Sequence, residues 1–250
     1  MLNMYKIGIV GSDNSHAITF SQMLNDPLHK YHVDGMRVLY LYGLNDERNR
    51  EVAEKGRILH IVGEPEEMIG KVDCVFIEFR DGALHYKYAK PFLEEGIPVF
   101  VDKPLAATVE DAEKIVKLAL DNHTLLTSFS VLRFSKKVQA IASEEKPVTL
   151  TITGPGDPDS QYSGLIFYGI HVAEILEEIV SPRSWEVYAI RKGKTVEALI
   201  NIENGPIANI KISNEIPYNF TIHYLGKNKI IYHKIEDYMF SYRKGLLTVK

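Results

Sequence analysis

The chain has 250 residues, 45% of them hydrophobic and 25% charged, with a net charge of −4. That balance is ordinary for a globular protein, the length allows one large domain or two modest ones, and the absence of a long basic run disfavours nucleic acid or an anionic membrane as partner. No apolar stretch is long enough to span a bilayer, Met1 to Lys6 lack a signal-peptide core, and a lone cysteine, Cys74, rules out disulfide staples, so a cytoplasmic protein is expected.

The first half alternates strands and helices. Tyr5 to Gly11 is a short apolar run ending in glycine, a strand leading into a turn. Ser12, Asp13, Asn14 and Ser15 are four candidate caps in a row, and Ala17, Phe20 and Leu24 then recur at helical spacing. Strand, glycine turn and helix suggest a dinucleotide-binding start, but of the three glycines in that fingerprint only Gly11 is present; Asp13 and His16 stand at the other two positions. A well-capped helix without ligand remains an equal reading. Arg37 to Tyr42 is a second strand. Gly43 follows it, where an acid usually holds the ribose hydroxyls; the missing charge, with Arg48 and Arg50 nearby, points toward NADP, although both arginines also read as solvated helix residues. Leu59 to Val62 is a short strand. Val72 to Phe79 is apolar on both faces, as a central parallel strand requires, and Glu78 interrupts it at the end facing the ligand crevice. Ala83 to Glu95 reads as a helix with His85 in its first turn and Pro91 as a kink.

The stretch from Gly96 to Leu105 organises the chain. Val99 to Val101 is a buried strand that runs into Asp102, Lys103 and Pro104, so a lysine is presented at the carboxyl end of a strand, on a turn stiffened by proline. A plain surface lysine before a turn is the competing reading. Thr108 to Asp111 opens the next helix with a near capping box, and Thr124 to Phe129 is the last strand of this half. These lengths predict a doubly wound parallel sheet.

The second half changes character. Val148 to Ile152 is a strand, and Gly154 to Ser160 reads as a turn-rich loop. Tyr168 to Leu176 is a helix carrying His171. After Pro182 come strands at 185–190, 196–202, 207–212, 220–224 and 230–232, with Gly193, Asn204-Gly205 and Gly226 at hairpin turns. A largely antiparallel sheet with helices on one face is expected.

Gly-x-x-Val-x-Val-Asp-Lys-Pro-Leu, spanning 96–105, resembles the Glu-Lys-Pro segment of the Gfo/Idh/MocA oxidoreductases, with Asp102 in place of glutamate. The resemblance runs in order along nearly the whole chain. It includes Leu132-Arg133-Phe134, similar to an Arg-Arg-Phe segment, and Gly169-Ile170-His171, similar to the motif that places a histidine in the substrate cleft. Asp13-Asn14-Ser15-His16 is similar to the turn of one branch of the family. The resemblance implies a Rossmann-like dinucleotide-binding domain at 1–128 and an α+β substrate and oligomerisation domain at 129–250. It implies NAD or NADP as cofactor and Lys103 and His171 as catalytic residues. Gly8, Gly11, Ser12, Asp13, Asn14, Ser15, His16, His85, Asp102 and Lys103 would surround the cofactor, and Lys103, Arg133, Tyr168 and His171 the substrate. His85 equally fits capping or packing, and Arg133 a structural salt bridge. Phe167 replaces the family aspartate before His171, so Glu174 or a hydroxyl, Tyr168 being nearest, is expected to orient that ring.

The expected function is hydride transfer between nicotinamide and a sugar, polyol or related hydroxy or keto compound. The alternative is a binding or regulatory protein that kept the fold. No metal is assigned. If Asp13 faces the helix N-terminus, it should repel the pyrophosphate; if it caps the helix, it should not. Apolar residues on both faces of the later strands predict a homodimer or homotetramer through the open C-terminal sheet.

Overall fold

The computed structural model describes residues 4–181 and 184–250; Met1, Leu2, Asn3 and the expected break at Pro182 lie outside the described residues. The chain forms two compact units, Met1–Phe129 with Tyr242–Lys250, and Ser130–Ser241. The C-terminal segment thus groups with the first unit, whereas a division at residue 128 assigns it to the second.

The first unit holds β1 (Tyr5–Val10), α1 (Ser15–Asn25), β2 (Met36–Tyr42), α2 (Asp46–Gly56), β3 (His60–Ile61), β4 (Cys74–Ile77), α3 (His85–Glu94), β5 (Val99–Asp102), α4 (Val109–Asp121) and β6 (Leu126–Phe129). All six strands are parallel, in the order β3-β2-β1-β4-β5-β6. This is the doubly wound order whose direction reverses between β1 and β4, so ligands bind beyond the carboxyl ends of those strands. The strands are apolar because both faces are covered: Ile9, Val10, Phe76, Ile77, Phe100 and Val101 are all buried. Local chemistry sets the helix starts. Asn14, Asn45 and Thr108 cap α1, α2 and α4, each side chain accepting a backbone N–H of the first turn. Pro91 lies inside α3.

The second unit holds α5 (Lys136–Ala142), β7 (Thr149–Pro155), α6 (Ile166–Val180), β8 (Trp185–Lys192), β9 (Thr195–Ile202), β10 (Ile207–Ser213), β11 (Phe220–Leu225) and β12 (Ile230–Ile235). A further helix, α7 (Tyr238–Val249), begins here and ends in the first unit. The sheet order is β12-β11-β7-β10-β9-β8, antiparallel throughout except for the β7–β10 pair. Helix α6 packs on β7 and β10, burying Ala208, Ile210 and Ile212, while Ile207, Asn209 and Lys211 face the uncovered side.

Two expectations change. Gly154 and Pro155 do not open a loop; they pair with Ile212 and Ser213 as the end of β7. Glycine is needed there for close approach of the helix, since a Cβ on Gly154 would lie 2.7 Å from side chains of Val172 and Phe220. Helices α5 and α7 were not anticipated. The first is short, and the second is interrupted by Gly245, which disguises its pattern.

Candidate active site

The carboxyl ends of β1, β4 and β5 gather a buried polar cluster within the first unit. The β1–α1 turn contributes Asn14 and His16, the residue after β4 is Glu78, β5 ends in Asp102 and is followed by Lys103, and α7 contributes Tyr242. Gly11 permits this convergence. Its φ is +115°, and a Cβ there would sit 2.4 Å from the backbone nitrogen of Phe79. Asn14 uses both ends of its amide: the oxygen caps His16 N–H at 3.1 Å and the nitrogen donates to Asp102 Oδ2 at 2.8 Å. His16 Nδ1 lies 2.9 Å from the same carboxylate oxygen, and its Nε2 lies 3.0 Å from the Tyr242 hydroxyl. Lys103 Nζ is 3.7 Å from Asp102 Oδ2, and the Lys103–Pro104 peptide is cis.

The two carboxyl groups have opposite electrostatics. Burial alone would raise Asp102, but His16 and Lys103, with the hydrogen bonds around it, outweigh burial and hold it well below the usual carboxylate range. Glu78 is pushed well above that range, first by burial and then by Asp102, with Lys103 opposing. Neither oxygen of Glu78 has a hydrogen-bond partner among the described residues, nor has Asp102 Oδ1.

The neighbouring turns decide how a dinucleotide is met. Asp13 neither caps α1 nor faces its first N–H groups. Both its carboxylate oxygens lie 3.3 Å from the Arg80 backbone N–H, and the Arg80 guanidinium donates to the Asp13 carbonyl. Gly43 cannot carry the usual ribose-binding acid: a Cβ would lie 2.1 Å from Ser12 Oγ and 2.3 Å from Asn49 Oδ1. Arg48 is not a solvated helix residue. It donates to the carbonyl of Ser12 and to Glu51, while Arg50 is exposed. The glycine-permitted approach of β1 to β4 and a helix beginning at the switch point fit a dinucleotide in this unit.

His85 is fully buried, with Nδ1 2.8 Å from the Pro104 carbonyl oxygen and Nε2 2.8 Å from that of Phe79. It ties the loop after β4 to the turn carrying Lys103. Gly8 lies mid-strand rather than in the turn, where a Cβ would meet Met68 Sδ at 2.5 Å; its task is packing. Ser15 is the first residue of α1 and is exposed.

The second unit holds the other expected site residues. His171, on α6, has Nδ1 2.6 Å from Ser130 Oγ, and its ring packs edge-on against Phe220. The hydroxyl expected to orient that ring is supplied by Ser130, and Glu174 accepts the Ser130 backbone N–H at 2.7 Å on both oxygens. Glu174 thus sets the backbone from which Ser130 reaches the ring. Arg133 bridges Glu174, Glu177 and Glu178. Burial would lower Arg133, but the three carboxylates, Glu178 foremost, outweigh it and raise it. The Tyr168 ring lies tilted at 5.5 Å from His171 and edge-on at 5.8 Å from Tyr218. It lines a cleft of about 390 Å³ together with Phe167, Tyr218, Asp157, Ser160 and Asn214.

Sequence reasoning noticed Glu78 without giving it a role, and it missed Ser130 and Tyr242. An acid in an apolar strand was the available signal for the first. The others are brought in from positions 41 and 226 residues away along the chain.

Residues 5–130 match the family described as oxidoreductase family, NAD-binding Rossmann fold (Gfo/Idh/MocA). No curated protein matches the chain. Among solved structures, the chain is similar to a probable dehydrogenase from Thermotoga maritima, with a TM-score of 0.81 and 17% identity over 98% of this chain and 88% of that one. It is also similar to a myo-inositol dehydrogenase from Corynebacterium glutamicum, with a TM-score of 0.81 and 15% identity over 98% and 87% of the two chains. A third is GenD2 from gentamicin A biosynthesis, solved in complex with NAD, with a TM-score of 0.80 and 16% identity over 94% and 73%. These likenesses concern the fold; the family match covers half of the sequence and the parallel unit described above. The chain belongs to the Gfo/Idh/MocA oxidoreductase family, with its NAD-binding Rossmann fold, and is an NAD(P)-dependent oxidoreductase.

Proposed function

We propose that the enzyme moves a hydride between nicotinamide and a carbon bearing a hydroxyl group on a sugar, polyol or related hydroxy or keto compound. The observation that carries this reading is the cleft lined by Tyr168, whose ring meets that of His171. Phe167, Tyr168 and Tyr218 offer flat apolar walls for ring C–H groups, and Asp157, Ser160 and Asn214 offer polar atoms for hydroxyls. Myo-inositol dehydrogenases among the structural neighbours agree with that class. The nicotinamide supplies the redox chemistry. Backbone groups from Gly11 to His16 hold the pyrophosphate, and with Gly43 in place of the ribose-binding acid no carboxylate there repels a 2′-phosphate, so NADP is accepted as well as NAD. Lys103 orients the reacting oxygen and stabilises negative charge on it. His171, its Nδ1 fixed by Ser130, carries the proton. Arg133 is a scaffold residue and His85 a positioning residue. Among the described residues no helix is long and apolar enough to cross a membrane; we propose a cytoplasmic location, in keeping with the lone Cys74, which forms no disulfide.

Lys103→Met tests the assignment. A panel of polyols, sugars and sugar acids with both cofactors supplies the assay. Expected is a kcat lower by about a hundredfold or more, with cofactor affinity within about tenfold, the usual size for a positioned acid–base group. Wild-type turnover would end the role of this lysine. Failure of both cofactors to bind, with no substrate turned over, would instead favour a regulatory protein on this fold.

We further infer a homodimer or homotetramer through the uncovered sheet face. Tyr188, Leu199, Asn209, Thr151, His223 and Tyr232 form one row across all six strands there. Tyr188, Leu199 and Tyr232 are exposed. Light scattering at micromolar concentration should give a dimer or larger, and Tyr188→Glu should shift it toward monomer; a wild-type monomer would count against the interface.

A further inference from the structure

The buried cluster of the first unit has donor atoms that its own hydrogen bonds do not use. One atom each from His16, Glu78 and Asp102 lie within 4.8 Å of one another, and all three residues are buried. Both oxygens of Glu78 and Oδ1 of Asp102 lack hydrogen-bond partners among the described residues. Both carboxyl side chains are 0% exposed, so water does not relieve them from outside. We propose that His16, Glu78 and Asp102 form a site for a divalent transition ion of the zinc type.

Two observations favour an ion over a shared proton. A proton bridging Glu78 and Asp102 satisfies two of the three orphaned oxygens, whereas a chelated ion takes all three, with His16 Nδ1 turning to it from Asp102 Oδ2. The outward atoms of two ligands are already held, as metal ligands require for orientation: Asp102 Oδ2 accepts from Asn14, and His16 Nε2 meets Tyr242. Metal–ligand bonds of about 2.0–2.2 Å place neighbouring ligand atoms roughly 3–4 Å apart, which modest side-chain movements reach from the present spacing. One imidazole with two carboxylates favours zinc and its neighbours over magnesium or calcium.

The test uses the full-length protein and does not require a substrate. Chelator-treated protein is dialysed against micromolar Zn²⁺ and then metal-free buffer, and bound zinc is counted by elemental analysis. Co²⁺ is added separately, and visible absorption reports its coordination. Expected are one zinc per chain, a d–d band with Co²⁺ and a zinc-dependent rise in melting temperature. Glu78→Gln and His16→Asn should each lower zinc affinity at least tenfold. His32→Asn, which removes the surface pair with Asp34, should leave it unchanged. No retained zinc, or zinc binding unaffected by both cluster variants, overturns the proposal. So does a Glu78→Gln protein that melts higher with no zinc effect on the wild type, the result expected of a shared proton. If either variant fails to fold, wild-type stoichiometry and the Co²⁺ spectrum still decide. Because NAD binding is measured separately, loss of the ion site leaves the oxidoreductase reading standing.

Discussion

The two units bury charge in opposite ways. In the second, the network around Arg133 is answered: Arg133 meets three glutamates, Glu174 meets the Ser130 N–H, and Ser130 meets His171. In the first, Glu78 is fully buried with no hydrogen-bond partner among the described residues, beside an Asp102 held strongly anionic. A buried carboxyl without a partner lowers stability, so it persists where something other than stability depends on it. The paired network is a scaffold that fixes one histidine. The unpaired cluster is where chemistry or a ligand is expected.

The largest expected effect breaks the paired side. Arg133→Met leaves Glu174, Glu177 and Glu178 facing one another, and it should lower stability by about 2–3 kcal/mol, the range for losing charged hydrogen bonds from a partly buried site. Urea unfolding measures this, and a loss below about 0.5 kcal/mol would reduce the network to surface decoration. Ser130→Ala comes next. It removes the partner of His171 Nδ1 and the hydroxyl that accepts the Leu132 N–H. Stability should fall by about 1–2 kcal/mol, and kcat by about tenfold with KM little changed, because the ring loses its fixed orientation. An unchanged kcat would mean that His171 needs no orienting group. The smallest effect sharpens the contrast. In metal-free protein, Glu78→Leu should leave stability unchanged or raise it by about 1 kcal/mol, since it replaces a buried group that has no partner. A loss above about 2 kcal/mol would reveal a stabilising contact at Glu78 and remove the difference between the units.

The parallel sheet was legible because its strands, buried on both faces, leave continuous apolar runs, and because caps such as Thr108 and turns such as Gly11 are local chemistry. The C-terminal strands were legible from alternation and hairpin glycines. Gly154 and Pro155 misled, because a glycine required by the approach of Val172 and Phe220 looks the same in sequence as a glycine required by a turn.

By itself, then, the sequence determined the alternation of elements, the parallel and mixed sheets, and the presentation of Lys103 at the end of β5, all of which follow from periodicity and turn chemistry over a few residues. Tertiary structure decided what those residues meet. It turned Asp13 toward the Arg80 amide, filled the space at Gly43 with Ser12 and Asn49, chose Ser130 over Tyr168 for His171, and brought Tyr242 to His16. Each of these depends on side chains far apart in the chain being packed to within about 3 Å, a distance scale that hydrogen bonds sense and that no local sequence pattern encodes.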